Sequence, residues 1–414
     1  MGRINKIVCA VIVSLISGVV IAQNNTNSPY TRYHLGQLSD QSSSKSKAMG
    51  GVAYALRDNS QINPLNPASY TAMDSLTFLF EGGVSFQNAN FSDGTTKLNA
   101  KNSSFDYLVL QFRLKKWMAM SAGILPLSNV GYNINELKPN DVPEAAAVIT
   151  RYGSGGLHQF YTGVAFKPIG GLSLGANVSF LWGTIQNNTE MYFPNALLPA
   201  DKNTAFNKNT TLKGLKLDFG AQYEYALNNN SDITIGAVFS PKMSLSNDIE
   251  TVSLQNVYVK NEYESTFHLP NSFGFGVAYN WQRKLTVSMD VQHQEWSKVK
   301  FDGKENQMLD YTKISLGAEY LPKMFSRNYF STIKYRLGAY YANPYYKIEG
   351  KRAAKEYGVS AGLGFPIPKV NSQLNISAQF IRIDGQKDNF LKENYIRVNV
   401  GLIFSERWFA KRKI

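Results

Sequence analysis

The chain has 414 residues, 43 lysines and arginines against 30 aspartates and glutamates, a net charge of +13, and a single cysteine. One cysteine excludes a disulfide framework and a multi-thiolate metal site. The basic residues are dispersed along the chain, which speaks against a nucleic-acid-binding face.

Residues 1–22 read as a secretory signal peptide. Arg3 and Lys6 form the basic n-region, and Ile7 to Ile21 is too short and too interrupted by Ser and Gly for a spanning helix. Val20-Ile21-Ala22 is a cleavage site before Gln23. Cys9 lies inside this leader without a lipoprotein-like context, so the mature chain has no thiol and a net charge of +11, two basic residues fewer than +13. Residues 23–74 form an N-terminal unit of a different kind from the rest. Gln23 to Asp40 is polar and expected to be irregular. Gln41 to Lys47 is rich in Ser and Lys and expected to be solvated. Ser46 to Ser75 carries Gly50-Gly51 and two Asn-Pro steps, Asn63-Pro64 and Asn66-Pro67. The residue before proline is pushed out of the helical region, so this is a compact, turn-rich segment.

From Leu76 the period is two. Phe78, Phe80, Val84 and Phe86 alternate with Thr77, Glu81, Ser85 and Gln87, and Leu172 to Trp182 alternates against Ser173, Asn177 and Ser179. Leu285 to Val291 alternates with Ser288, Asp290 and Gln292, and the same holds for Tyr357 to Phe365 and Ile396 to Phe404. An apolar face against a small or polar face suits a barrel wall, with lipid outside and lumen inside. Half-buried strands of a soluble sandwich alternate as well, but the connections favour the barrel. Short ones, near Lys115-Lys116, Pro168 to Gly171 and Asn280 to Lys284, alternate with longer ones at Asn88–Asn102, Gly131–Gly156, Gln186–Thr210 and Ser246–Val257. That is the asymmetry between periplasmic turns and outer loops. With 24 Tyr and 24 Phe for the interfaces, the reading is all-β: a transmembrane antiparallel barrel of about 14 strands over residues 75–404, plugged by the N-terminal segment. Residues 405–414 form a basic periplasmic tail. Val257 to Asn280, with Pro270 inside it, is read as one long interrupted strand.

Pro126 falls in the expected third strand, Trp117 to Asn133. Proline removes a ladder donor, so Pro126-Leu127-Ser128-Asn129 marks a bulge, an inward kink or the upper rim. The four histidines, His34, His158, His268 and His293, lie far apart without a motif, and no HExxH occurs. The expectation is a protein without catalytic residues, metal site or cofactor; a barrel-scaffolded hydrolase is the outlying alternative.

In order, SPYTRYHLGQL, AMGGVAYALRDNSQINPLNPASY, LPNSFGFGVAYN, LTVSMDVQHQEWS, EYGVSAGLGFPIP and ENYIRVNVGLIFSERWF resemble the outer-membrane long-chain fatty acid transporter family of the FadL/TodX/OMPP1 type, in its Bacteroidetes form. The resemblance spans the mature chain. It implies a fourteen-stranded barrel in the outer membrane of a Gram-negative bacterium, acting as a monomer among lipid and lipopolysaccharide. It implies capture of a hydrophobic ligand above an N-terminal hatch, and lateral release through a gap made by a kinked third strand. On that basis Asn63, Pro64, Asn66, Pro67 and Ala68 are hatch residues at the pocket floor, and Pro126, Leu127, Ser128 and Asn129 lie at the lateral opening. Arg336 and Arg397, on inward parity, are candidate bases for a ligand carboxylate, against the plainer reading of solvated lumen charge. Members of this fold also serve type IX secretion, so a partner-binding barrel is the alternative. The polar stretch Gln23 to Lys45 departs from family members that begin close to the hatch motif.

Overall fold

Strict alternation of apolar and polar residues gives long, closed strands. The structure is a computed structural model that describes residues 26–407 apart from 139–146, 194–203, 256, 264, 325, 349, 369–371 and 386–389. The expected signal peptide and most of the basic tail lie outside the described residues. The wall strands are β1 Thr77–Ser92, β2 Lys97–Lys115, β3 Met118–Lys138, β4 Ala147–Phe166, β5 Leu172–Tyr192 and β6 Thr204–Asn228. β7 is built from Ser231–Ser240 and Met243–Gln255, and β8 from Val257–Tyr263, Phe267–Leu269 and Ser272–Trp281. The wall continues with β9 Leu285–Gln294, β10 Tyr311–Tyr320, β11 Lys334–Asn343, β12 Glu356–Ile367, β13 Ser372–Asp384 and β14 Lys392–Arg407. Neighbours pair antiparallel, and β14 pairs with β1, so the sheet closes on itself.

The outward face is a belt of exposed apolar side chains, among them Leu215, Phe219, Phe275, Leu316, Leu337, Phe380 and Ile396. Trp117, Tyr223, Trp281, Tyr320 and Tyr335 ring the end with the short turns. A continuous apolar belt bounded by aromatics is the surface of an outer-membrane barrel. No helix of the described residues is long and apolar enough to cross a membrane.

One expectation about the wall changes. The long outer connections are largely paired strand: Asn88–Ser92 pairs with Lys97–Lys101, and Gly131–Lys138 pairs with Ala147–Ser154. Alternation weakens there because both faces leave the lipid and meet water. The interruption of β8 at Pro270 is matched in β7 at Pro241, between the pairs Ser240↔Ser272 and Met243↔Leu269. The two prolines stand diagonally across the β7–β8 ladder and break it at one level, and the Lys242 N–H that faces Pro270 donates to Asn271 Oδ1 at 2.8 Å.

The N-terminal segment, from Thr26 to the start of β1, sits within the ring of strands. The Ser42–Lys47 stretch is not solvated but buried, with Lys45 and Lys47 only 4% and 2% exposed. It opens the short helix α1, Ser44–Ala48, capped by Ser43, whose side chain accepts from the Ser46 N–H. Burial of two lysines is possible because each meets a carboxylate. Lys45 Nζ lies 2.6 Å from Asp58 and 2.9 Å from Glu319 of β10, and Lys47 Nζ lies 2.6 Å from Asp106 of β2. Glu319 also takes Arg336 of β11 at 2.6 Å.

Buried pairs of this kind are costly to break, because a partner left alone is an uncompensated charge. Lys45→Met is expected to weaken the seating of the segment by about 3–5 kcal/mol. The seating also has a pH window. Burial alone would raise the Asp58 carboxyl, but Lys45 and Lys334 outweigh it and hold it well below its ordinary 3.8. Burial alone would lower the Lys45 ammonium, but Asp58 and Glu319 outweigh it and raise it above 10.5. A depressed acid stabilises above its unfolded value and a raised base below its own, so the seat is at full strength between 3.8 and 10.5. Amide exchange of residues 42–58, corrected for intrinsic rate, is expected to stay slow at about pH 5–7 and to quicken as pH falls below about 4. Protection unchanged near pH 2 would contradict this role for the pairs.

Candidate functional site

Besides the interruption at Pro241 and Pro270, the wall is discontinuous between β2 and β3. β3 pairs with β4 along its whole length, but with β2 only from Met118 to Ile124. The β2–β3 ladder stops at Leu108↔Ile124. Both strands are bulged at that level. On β2 the register slips at Asp106, between the pairs Gly83↔Tyr107 and Val84↔Phe105. On β3 it slips at Leu127, between Pro126↔His158 and Ser128↔Leu157. A bulge bends its strand and strengthens the local twist, so two bulges facing each other splay β2 from β3. Pro126 has no N–H to continue the ladder, which stabilises the break.

The N-terminal segment takes the place β2 vacates. The two-residue strand Gln37–Leu38 pairs with Ser128 and Asn129, and the Ser39 N–H donates to Leu127 O at 3.0 Å. Gly36, at φ +81, brings this strand in: a Cβ there would strike the Asn129 carbonyl. The segment also crosses the gap twice. Farther from the short turns, Asn27 Nδ2 donates to Asn102 of β2 at 3.1 Å, while the Gly131 N–H of β3 donates to Thr31 Oγ1 at 3.1 Å. Nearer the short turns, the Ser44 N–H donates to Tyr107 Oη at 2.8 Å, and Gln41 Nε2 donates to Pro126 O at 3.0 Å.

Between these crossings lies a cavity of about 260 Å³. Asn102, Ser104 and Asp106 line it from the β2 edge, and Pro126, Leu127 and Asn129 from the β3 edge. Its floor is Asp40, Gln41, Lys47, Gly51, Tyr54 and Leu65. The far wall carries Asp218, Asp290, Lys313, Glu356, Gln379 and Arg397. Burial would raise the Asp40 carboxyl, yet Lys313 and Lys47 hold it well below the usual carboxylate range. The cavity is therefore mixed: these charged groups share the lining with Leu38, Leu65, Leu127, Leu269, Trp296 and Tyr345.

Apolar side chains pack the outer half of the lumen, and Leu35, Trp296 and Tyr345 of that packing also border the cavity. Leu35, Val130, Tyr132, Leu157, Phe267, Trp296 and Tyr345 form one buried cluster. Trp296 and Tyr345 have ring centroids 4.8 Å apart, as do Phe267 and Phe301. His34 joins this cluster edge-on to Phe301, and burial pulls its imidazole down to about 4, so it stays neutral. His293 meets Thr312 of the neighbouring strand. Among the described residues no group of three potential metal ligands occurs.

The five expected floor residues, Asn63, Pro64, Asn66, Pro67 and Ala68, do not line the cavity; they hold the segment together and against the wall. Asn66 caps the 3-10 helix Pro67–Ala72 and donates to the Tyr54 and Ala221 carbonyls. Asn63 donates to Ala53 O, Pro64 O accepts from Asn177 of β5, and Ala68 is fully buried. Leu65, between the two Asn-Pro steps, is the neighbour that reaches the cavity. Arg336 is held by Glu319 and by Asn375 at 2.7 Å, away from the cavity lining. Arg397 lines it. Asp290, Gln87 and Gln379 were missed as site residues. Inward parity was the signal available for them, since Asp290 and Gln87 fall on the polar faces of their strands.

The family model described as BamG matches residues 3–414. No curated protein matches the chain. Among solved structures, the Pseudomonas putida toluene transporter TodX superposes with a TM-score of 0.62 at 15% identity, over 89% of this chain and 99% of that one. The CymD monoaromatic hydrocarbon channel gives 0.58 at 16% identity, over 91% and 99%. The Ralstonia pickettii toluene transporter TbuX gives 0.59 at 15% identity, over 88% and 98%. Identity this low shows a shared fold.

Proposed function

The chain belongs to the BamG family, and from that premise we propose that it is an outer-membrane barrel that passes a hydrophobic or amphipathic small molecule sideways, between its lumen and the membrane. The observation that carries this is the break in the β2–β3 ladder above Leu108↔Ile124, beside a cavity lined from both edges. A lateral gap lets a molecule with acyl or aromatic parts reach lipid without crossing water. Transfer of its apolar part, about 0.8 kcal/mol per CH₂, drives it into the bilayer. Pro126, Leu127, Ser128 and Asn129 form the opening, and the N-terminal segment is the plug that closes the lumen below it. One chain closes the barrel, so a monomer suffices. The fold shared with toluene transporters and a hydrocarbon channel supports the reading.

The test is uptake. A strain lacking the protein is expected to lose accumulation of the cargo class, and the purified protein to carry lipid or hydrocarbon by native mass spectrometry. Unchanged uptake together with an empty protein would contradict passage.

A second reading has one observation behind it. The Trp296–Tyr345 cluster packs the outer lumen, and the cavity beside the gap is about 260 Å³, below the roughly 300–1,000 Å³ of small-molecule sites. A barrel whose outer lumen is packed in this way suits a protein whose outer hairpins hold a partner. Recovery of a stoichiometric partner with normal uptake in the deletion strain would favour it.

A further inference from the structure

One side of the cavity beside the gap carries polar groups suited to a head group. Four inward residues form one row across adjacent strands: Asn102 of β2, Gln87 of β1, Arg397 of β14 and Gln379 of β13, each the register partner of the next. Asn102 is at the edge of the gap. With strands about 4.8 Å apart, Arg397 lies roughly 10 Å around the wall from it.

The charges of the cavity are unevenly satisfied. Lys47 is taken by Asp106 and Lys216 by Asp218, both at 2.6 Å. Arg397 forms no ion pair among the described residues; its Nε and Nη2 donate to Gln87 Oε1 at 3.1 and 2.6 Å. That leaves Gln87 Nε2 without an acceptor, next to a guanidinium without a carboxylate. Gln379 spends its Nε2 on Lys47 O, leaving Oε1 without a donor, and Asp290 Oδ1 is orphaned too. Gln87, Gln379 and Asp290 are all more than nine-tenths buried and line this cavity. Buried polar atoms without partners are rare and costly. Here two donors wait for an anion beside acceptors that wait for a donor.

The outer face fixes the depth. Ile396 and Val398, which flank Arg397, are 50% and 38% exposed, and Phe86 beside Gln87 is 51% exposed. The row therefore lies inside the lipid belt. Just beyond it, β2 turns polar on its outer face, with Lys101 and Asn99 exposed, so the belt ends there. A ligand held on the row has its head at the border of the hydrocarbon and its chains beside the gap.

We propose that the cavity binds the head of a membrane amphiphile, one that carries an anionic phosphate or carboxylate together with an ammonium or hydroxyl donor, while its acyl chains stay in the bilayer through the β2–β3 gap. The anion sits on Arg397 and Gln87 Nε2. The donor faces Gln379 Oε1 and the carboxylates of Asp290 and Glu356. This rests on the lateral-gap reading above and names its substrate class. The small volume, which leaves no room for a long chain, is what a head-group site requires.

The experiment is native mass spectrometry of the detergent-extracted full barrel, titrated with phosphatidylethanolamine, with diacylglycerol of the same chains, and with free phosphoethanolamine. Phosphatidylethanolamine is expected to bind about tenfold or more tightly than either of the others. Arg397→Met is expected to lose that preference and Arg397→Lys to keep part of it, with heat-modifiable gel mobility confirming a folded barrel. Arg151→Met, at an exposed pair with Glu136 outside the cavity, is expected to leave binding unchanged. Equal binding of diacylglycerol would overturn the head-group assignment and leave lateral passage standing. Equal binding of free phosphoethanolamine would make this a site for a soluble anion. Unchanged phosphatidylethanolamine binding in Arg397→Met would remove Arg397 from it. No binding of any lipid, diacylglycerol included, would count against the lateral gap itself.

Discussion

Gly338→Leu is expected to unseat the N-terminal segment from a barrel that still closes. A Cβ added at Gly338 of β11 would sit on the backbone of Met49 and Gly50. The atoms in the way are main chain, not the end of a flexible side chain, so no rotamer change relieves the clash. The same contact recurs around the wall: Gly236 lies under the Tyr54 carbonyl, Gly317 under Met49, and Gly175 under Pro67. These glycines let the segment's backbone lie flat against the strands. There it is then held by hydrogen bonds such as Gly50 N–H to Ser360 Oγ at 2.9 Å, and by Asp290, which accepts from the Tyr54 N–H at 2.8 Å. Overpacking alone costs about 1–3 kcal/mol, and displacement also strips the buried lysines of their partners. The measurement is trypsin cleavage at Lys45, Lys47 and Arg57 in the purified barrel. These sites are expected to be resistant in the parent and cut about tenfold or more faster in Gly338→Leu. In cells the same variant is expected to admit antibiotics too large for ordinary pores. Gly170→Ala, where an added Cβ meets nothing, is the control. If Gly338→Leu resists trypsin as the parent does, the glycine seat is not what holds the segment.

Those glycines show where the sequence was readable and where it was not. Period-two alternation marks the wall, because lipid on one side and lumen on the other constrain every second residue of every strand. The interrupted eighth strand was readable too, through Pro270. A glycine on the inner face, by contrast, looks the same whether it eases wall curvature or admits a second backbone. Only the distance to Met49 or Tyr54 separates the two. The Ser42–Lys47 stretch misleads for a related reason. Its composition is that of a solvated linker, and it is buried only because Asp58, later in the same segment, and Asp106 and Glu319, far away in sequence, supply the counter-charges. The gap was half legible. Pro126 marks β3, but the matching bulge on β2 shows only as a change of inward parity, from Asn102, Ser104 and Asp106 to Tyr107, Val109 and Gln111. No single residue announces it.

Deleting Leu127 together with Pro126→Val is expected to close the gap and abolish lateral passage. Leu127 is the extra residue of the bulge, without a register partner on β4. Below it, Ala119, Ser121 and Leu125 are buried; above it, Ser128, Val130 and Tyr132 are. The inward parity changes from odd to even across one residue. Removing that residue leaves Leu125, Ser128 and Val130 on the inner face at ordinary spacing of two, so the deletion regularises the strand without turning any side chain to the wrong side. Valine restores the N–H that proline lacks and favours an extended backbone. The straightened β3 then runs beside β2, which competes with Gln37–Leu38 for the β3 edge. A longer β2–β3 ladder gains about 0.5–1.5 kcal/mol per added hydrogen bond, so the double change is expected to stabilise the barrel while it removes function. That opposition separates this prediction from simple damage. The expected readings are a higher temperature for loss of heat-modifiable mobility, and cargo uptake at the level of a strain without the protein. Slow exchange at the β2 amides from Lys101 to Phe105 would report the new pairing. A stabilised barrel with undiminished uptake would place the route elsewhere than between β2 and β3.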